Sequence, residues 1–101
     1  MTTDRATGNS DSGSELERLR RQIDATDDAI WQLIVQRGQI ARCIGTYKRQ
    51  HNLPIVQSQR FAAMLEQRLL WAQDNGIEAE TVSSIMTALH DMSVSVQQRE
   101  D

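Results

Sequence analysis

A long stretch without proline dominates this sequence. The chain has one proline, Pro54, and before it apolar residues recur at separations of mostly three, four or seven. These residues are Leu16, Leu19, Ile23, Ile30, Leu33, Ile40, Ile44 and Tyr47. Such spacing places them on one face of an α-helix. The sequence therefore predicts one helix of roughly 35 residues, about three times the mean length in globular proteins.

The expected start of this helix is Ser14, because Ser14 and Glu17 form a Ser-x-x-Glu capping box. Residues 1–13 contain no large apolar side chain after Met1. Such a segment cannot offset its ordering entropy by burial, so we expect a disordered tail over 1–13 and a helical domain over 14–101.

Two shorter helices follow. Pro54, preceded by Asn52 and Leu53, ends the first helix because proline cannot continue its hydrogen-bond ladder. The second helix is predicted from about Ser58, as N-cap, to the Asn75-Gly76 stop, and the third begins near residues 78–80. The predicted fold class is all-α, with three helices of which one is very long.

The composition limits the possible functions. The 101 residues hold 11 Lys and Arg against 14 Asp and Glu, a net charge of -3, which disfavours nucleic-acid binding. Cys43 is the single cysteine and no metal-type Cys/His spacing occurs, so we expect no internal disulfide and no metal site. A polar segment follows Met1, so neither a signal peptide nor a membrane span is predicted, and we expect a cytoplasmic protein.

The long helix also predicts a homodimer. A helix of roughly 35 residues spans about 50 Å, and the two shorter helices could cover only part of its apolar stripe. Two long helices that run past each other in a symmetric dimer would cover the rest.

Several polar residues interrupt the apolar faces. Arg37 occupies a stripe position, and Lys48, eleven residues later, is rotated from it by only about 20°, so both cations face the same space. Arg20 lies about 25 Å from Arg37 along the axis, so it could reach that space only from an antiparallel partner chain. Ser93 and Gln97 lie at the margin of the third helix's stripe, and a further cation, Arg60, opens the second helix.

Taken singly, each of these residues also fits an ordinary structural role. Arg37 could snorkel to a carboxylate, Arg20 and Lys48 could be solvated, and the two polar residues of the third helix could lie at the surface. Together, however, converging cations without nearby inward carboxylates require an anion between them. We assign His90, Cys43 and the two tryptophans to packing or to the surface.

Over residues 15–98 the sequence resembles the all-helical chorismate mutases, in particular the bacterial bifunctional type. The residues that carry the resemblance are Leu19–Asp27, Arg37, Tyr47-Lys48, Pro54, Arg60, Ser93 and Gln97-Gln98. The resemblance implies a dimeric enzyme that rearranges an enolpyruvyl ether of a cyclohexadiene dicarboxylate by a concerted [3,3] shift, without a cofactor.

The resemblance also implies roles for these residues. Arg37 and Arg20 of the partner subunit would bind the carboxylates, assisted by Ser93 and Arg60, and hold the ether in a reactive chair. The other two polar residues, Lys48 and Gln97, would donate hydrogen bonds to the ether oxygen as the C–O bond breaks.

Two positions depart from the mutase pattern. Typical mutases have acidic residues near the ring hydroxyl where this chain has Gln57 and Phe61. An amide and an aromatic ring could suit an amino group, as in 4-amino-4-deoxychorismate. Segments 60–65 and 71–76 also look like isochorismate pyruvate-lyase. The substrate thus stays open among chorismate, its 4-amino analogue and isochorismate, and a non-catalytic helical dimer is a further alternative.

Overall fold

The structure, a computed structural model, describes the backbone of residues 8–99 and the side chains of residues 13–99. Within this part of the chain it contains three α-helices and no strand: α1 (Gly8–Gln50), α2 (Ser58–Asp74) and α3 (Ala79–Gln98). The predicted all-helical class, with one very long helix, is confirmed for these residues. None of these helices is both long enough and apolar enough to cross a membrane.

The start of α1 differs from the prediction. The helix begins at Gly8, earlier than the Ser14 that the capping box indicated. Extending a formed helix adds one hydrogen bond for each residue that is fixed, and no proline in residues 8–13 prevents this. Residues 1–7 of the predicted disordered tail, and the side chains of residues 8–12, lie outside the described residues.

The end of α1 is a complete turn motif just before Pro54. Asn52 has a φ of 55°, in the left-handed region, and its N–H donates to the Arg49 carbonyl at 3.4 Å. The Leu53 N–H donates to the Lys48 carbonyl at 2.8 Å. These two bonds satisfy carbonyls that the helix end would otherwise leave without a partner. The predicted helix end is confirmed, and the turn fixes the last turn of α1, which holds Lys48 and Arg49.

The start of α2 corrects a smaller prediction. Ser58 is the first helical residue, and the N-cap is Gln57, with φ −125° and ψ 86° and no capping bond from its side chain. The reason lies in the backbone: the Gln57 carbonyl already accepts the N–H groups of Arg60 at 3.1 Å and Phe61 at 3.3 Å. The hydrogen-bond ladder of α2 therefore begins one residue before Ser58.

The α2–α3 connection agrees with the prediction. Gly76 has a φ of +71°, and the Ile77 N–H donates to the Ala72 carbonyl at 3.0 Å, which ends α2. The N-cap of α3 is Glu78, and Glu80 lies in its first turn, where a negative charge suits the helix N-terminus. The short connection makes α2 and α3 an antiparallel pair.

The chain divides into two compact units, residues 1–36 and residues 37–101. In the second unit, α3 lies along the C-terminal part of α1 and runs in the same direction. Arg37 bonds to Leu89 and Ser93, whereas Lys48 and Arg49 bond to Gln97. This packing brings the ends of α1 and α3 together.

In residues 13–36 the structure has no buried side chain. The aliphatic residues of the stripe in this segment are between 44% and 63% exposed: Leu16, Leu19, Ile23, Ile30 and Leu33. Burial of side chains such as these is worth about 1.5–3 kcal/mol each. About half of that stabilisation is therefore not realised within the single chain.

Candidate active site

A cavity of about 290 Å³ lies in the unit of residues 37–101. Its walls come from the C-terminal part of α1, the loop before α2, the first turns of α2 and the part of α3 from Met86 to Gln97. Its lining contains these residues predicted for the site: Arg37, Lys48, Gln57, Arg60, Phe61, Ser93 and Gln97. Packing has thus brought together residues that lie far apart in the sequence.

Arg20 is the predicted site residue that the cavity lacks. It lies in the unit of residues 1–36 and its side chain is exposed. It is not part of the cavity lining among the described residues. Its contribution from a second chain stays a prediction.

The guanidinium of Arg37 is held by neutral oxygens. Its Nη1 donates to the Leu89 carbonyl at 3.0 Å and also to the Ser93 hydroxyl. Within the part of the chain that the structure describes, no carboxylate lies at ion-pair distance from Arg37. The cation is thus oriented by α3 without being neutralised by it, which leaves its charge to act on an anion in the cavity.

Lys48 and Gln97 form a pair at the end of the cavity. Lys48 Nζ donates to Gln97 Oε1 at 2.8 Å and to the Ile55 carbonyl at 2.8 Å. An ammonium group can only donate, so the amide of Gln97 must present its oxygen to Lys48. The Nε2 group of Gln97, a side chain that is only 7% exposed, is therefore left as a hydrogen-bond donor.

The electrostatic environment of Lys48 favours an anionic ligand. Burial lowers the pKa of Lys48 below its ordinary 10.5, and the positive charge of Arg60 lowers it further. Because both causes disfavour the charged ammonium, an anion in the cavity would stabilise it. The lining has three basic side chains, those of Arg37, Lys48 and Arg60. Among the described lining residues none is Asp or Glu.

The remaining wall of the cavity is largely apolar. It consists of Ile40, Ala41, Ile44, Ile55, Met64, Met86 and Val94. A cavity with an apolar wall and a few convergent polar groups is typical of a small-molecule site. No cluster of His, Cys, Asp or Glu that could hold a metal occurs among the described residues.

His90 packs against another ring, which is one of the two roles assigned to it, but its place in the cavity wall was not predicted. It lines the cavity, and its ring lies 4.3 Å from that of Phe61, tilted by 36°. The helical spacing of His90, Ser93 and Gln97 would have identified it, because residues at i, i+3 and i+7 share one face. The other residues in that assignment, Cys43, Trp31 and Trp71, are exposed and lie outside the described lining.

Sequence reasoning also missed two residues of α1 that contact Gln97. A Cβ atom on Gly45 would lie 2.8 Å from the Gln97 Cα, so α1 and α3 approach closely only because this residue has no side chain. Arg49 Nη1 donates to the Gln97 carbonyl at 2.7 Å. The only available signal was a glycine in the interior of a helix, where it costs about 1 kcal/mol relative to alanine.

Comparison with known proteins identifies a family for this chain. Residues 19–98 match the family model described as chorismate mutase type II. The chain is 37% identical over 71 residues to the T-protein of Haemophilus influenzae, covering 70% of this chain and 19% of that protein.

Two further relatives carry another name. The 4-amino-4-deoxychorismate mutase of Streptomyces pristinaespiralis is 36% identical over 73 residues, 72% of this chain and 57% of that protein. The protein of the same name from Streptomyces venezuelae is 27% identical over 82 residues, 81% of this chain and 76% of the relative. The chain thus spans a fifth of the first relative and just over half of the second.

Proposed function

The chain belongs to the chorismate mutase type II family, a family of isomerases, and we propose that it catalyses a cofactor-free [3,3]-sigmatropic rearrangement. The substrate is chorismate, which gives prephenate, or 4-amino-4-deoxychorismate, which gives 4-amino-4-deoxyprephenate. Both candidates share two carboxylates and a breaking ether bond, and they differ at the ring position that carries a hydroxyl or an amino group.

The main support is the cavity, which gathers cations from two helices without a carboxylate in its described lining. Its volume of about 290 Å³ lies near the lower end for small-molecule sites. Arg37, oriented by Ser93, binds one carboxylate, and Arg60 of α2 assists. These two cations, of which Arg37 is fixed by its bonds to α3, hold the flexible ether in the chair that the reaction requires, which lowers the entropic part of the barrier.

The chemical step needs charge stabilisation at one atom. As the ether C–O bond breaks, negative charge grows on its oxygen. Lys48 Nζ and Gln97 Nε2 donate to this oxygen, an interaction that is stronger in the transition state than in the bound substrate. The rearrangement transfers no proton, so no general base is required.

Gln57 and Phe61 support the amino substrate. Gln57 Nε2 donates to the Pro54 carbonyl at 3.5 Å, which leaves its oxygen to accept a hydrogen bond from an amino group. The Phe61 ring supplies a face to which a cation is attracted. Relatives named 4-amino-4-deoxychorismate mutase support the same substrate, whereas the T-protein relative supports no choice between the two.

The decisive experiment offers chorismate, 4-amino-4-deoxychorismate and isochorismate separately, and identifies each product by mass and ultraviolet absorbance. We expect a rearranged isomer of unchanged mass. Release of pyruvate from isochorismate would instead identify a lyase, and turnover of none of the three would contradict the proposed activity.

A variant tests how the substrate is distinguished. Phe61→Glu places a carboxylate beside the ring substituent, and we expect it to reverse a preference for the amino substrate, so that the ratio of kcat/KM for the amino substrate to that for chorismate falls. Phe61→Leu is the matched control, because it removes the ring without adding a charge. An unchanged ratio in Phe61→Glu would exclude this position from substrate choice.

We further propose that the active form is a homodimer in which Arg20 of the partner subunit completes each site. The exposed stripe of residues 13–36 supports this arrangement, because a second long helix would bury it. The test mixes equal amounts of inactive Arg20→Ala and inactive Lys48→Ala chains in the unfolded state and refolds them together. If sites are shared, each mixed dimer has one intact site, and random pairing restores about a quarter of wild-type activity. No recovery would exclude a shared site.

A further inference from the structure

Gln97 lies near the end of α3, yet its proposed role requires a precisely placed side-chain amide. It is the next-to-last residue of α3, where helices usually fray, yet its side chain is 7% exposed and lines the cavity. A hydrogen-bond donor in an active site must be held within about 0.5 Å of its productive position. Something other than the helix ladder must therefore fix Gln97.

Arg49 contacts the backbone of Gln97 directly. Its Nη1 donates to the Gln97 carbonyl at 2.7 Å, and its Nη2 donates to the Thr46 hydroxyl at 3.4 Å. Because α3 ends at Gln98, the Gln97 carbonyl is one of the last four of the helix and has no ladder partner among the described residues. It also lies at the negative end of the helix dipole, which strengthens a bond from a guanidinium.

The geometry around Arg49 makes this bond a precise restraint. The backbone of α1 approaches Gln97 so closely that an added Cβ on Gly45 would lie 3.0 Å from the Gln97 carbonyl oxygen. Lys48, the residue before Arg49, holds the side-chain oxygen of Gln97 at 2.8 Å. The last turn of α1 therefore contacts both the backbone and the side chain of Gln97.

We propose that Arg49 is a positioning residue that fixes the end of α3, and with it the amide of Gln97. Arg49 is exposed and absent from the cavity lining among the described residues, so it acts through Gln97 and does not touch the substrate. Its effect on turnover rests on the proposed function, in which Gln97 donates to the ether oxygen.

The test compares three variants in the full chain. Arg49→Met keeps the length of the side chain and removes its donors, and we expect kcat to fall about fivefold to tenfold with KM changed less than about twofold. Arg49→Lys restores one donor and should recover part of the loss. Arg42→Met is the matched control: Arg42 is exposed on the same face two turns earlier, with no side-chain hydrogen bond among the described residues, and kcat should be unchanged.

A spectroscopic readout separates this proposal from the proposed function. In ¹H–¹⁵N spectra, the side-chain amide of Gln97 is assigned by its loss in Gln97→Met. Arg49→Met should shift this signal and Arg42→Met should not, whether or not the wild type turns over a substrate. Wild-type inactivity would contradict the proposed function alone, whereas an unmoved Gln97 signal, or an unchanged kcat in an active enzyme, would overturn the role of Arg49.

Discussion

The close approach of α1 and α3 at Gly45 predicts that a single methyl group impairs catalysis more than folding. In Gly45→Ala, the added Cβ would lie 2.8 Å from Gln97 Cα, 3.0 Å from its carbonyl oxygen and 3.1 Å from its Cβ. An ordinary contact begins at 3.4 Å, so α3 must move away by 3.4 minus 2.8, or about 0.6 Å. Backbone atoms form the closest contacts, so no side-chain rotation relieves them.

The expected magnitudes follow from this displacement. Overpacking costs about 1–3 kcal/mol, and alanine regains about 1 kcal/mol of helix propensity over glycine. The free energy of unfolding should therefore fall by no more than about 2 kcal/mol. The same movement lengthens the Lys48–Gln97 bond from 2.8 Å to about 3.4 Å, beyond the range of a good hydrogen bond. Because removal of a catalytic donor costs about 10²–10³ in rate, its displacement should lower kcat about tenfold to a hundredfold.

The assay measures kcat and KM with the preferred substrate, and unfolding by circular dichroism. Gly38→Ala is the matched control, because Gly38 lies seven residues earlier in α1 with no atom within 4 Å of an added Cβ. This control should raise the free energy of unfolding by about 0.5–1 kcal/mol without changing kcat. A folded Gly45→Ala protein with wild-type kcat would refute the reasoning that this contact positions Gln97.

Three further predictions concern the orientation of Arg37, the protonation of Lys48 and the turn at Asn52. Ser93→Ala removes one acceptor from Arg37 but leaves its bond to the Leu89 carbonyl, so KM should rise about fivefold with kcat nearly unchanged. Steady-state kinetics that show an equal loss in kcat would contradict this binding role. Because burial and Arg60 lower the pKa of Lys48, kcat/KM should fall as pH rises through a value below 10.5, where Lys48 loses its proton. Arg60→Gln removes a positive neighbour, so it should raise the Lys48 pKa and move this alkaline decline to higher pH, whereas an unmoved decline would contradict the coupling. Asn52 has a φ of 55°, so Asn52→Gly should raise the free energy of unfolding by up to about 1 kcal/mol and Asn52→Ala should lower it by about 1 kcal/mol, as measured by urea unfolding.

Most of the helix boundaries were predictable from local signals. Pro54, Gly76 and Glu80 act through backbone geometry or charge within a turn of the chain, and the structure has helix ends or starts where these residues indicate. The errors have local causes too. A capping box at Ser14 permits a helix start but does not prevent the helix from extending to Gly8, since extension costs little.

The site was predictable in part. The period of α1 correctly indicated that Arg37 and Lys48 face one space, because both lie on a single rigid helix. Gln57 and Phe61 were found only as departures from a family pattern. The place of His90 in the cavity wall was not predicted, although its helical spacing from Ser93 put it on the same face.

Helix periods and turn residues in the sequence specify the three described helices and the faces that carry polar groups, because these properties arise within a few consecutive residues. Contacts between residues far apart in the chain are different. The bonds from Lys48 and Arg49 to Gln97, and the close approach at Gly45, depend on the distance between α1 and α3. That distance is set by the packing of the two helices against each other in the folded chain. No periodic pattern or turn signal in the sequence indicates it.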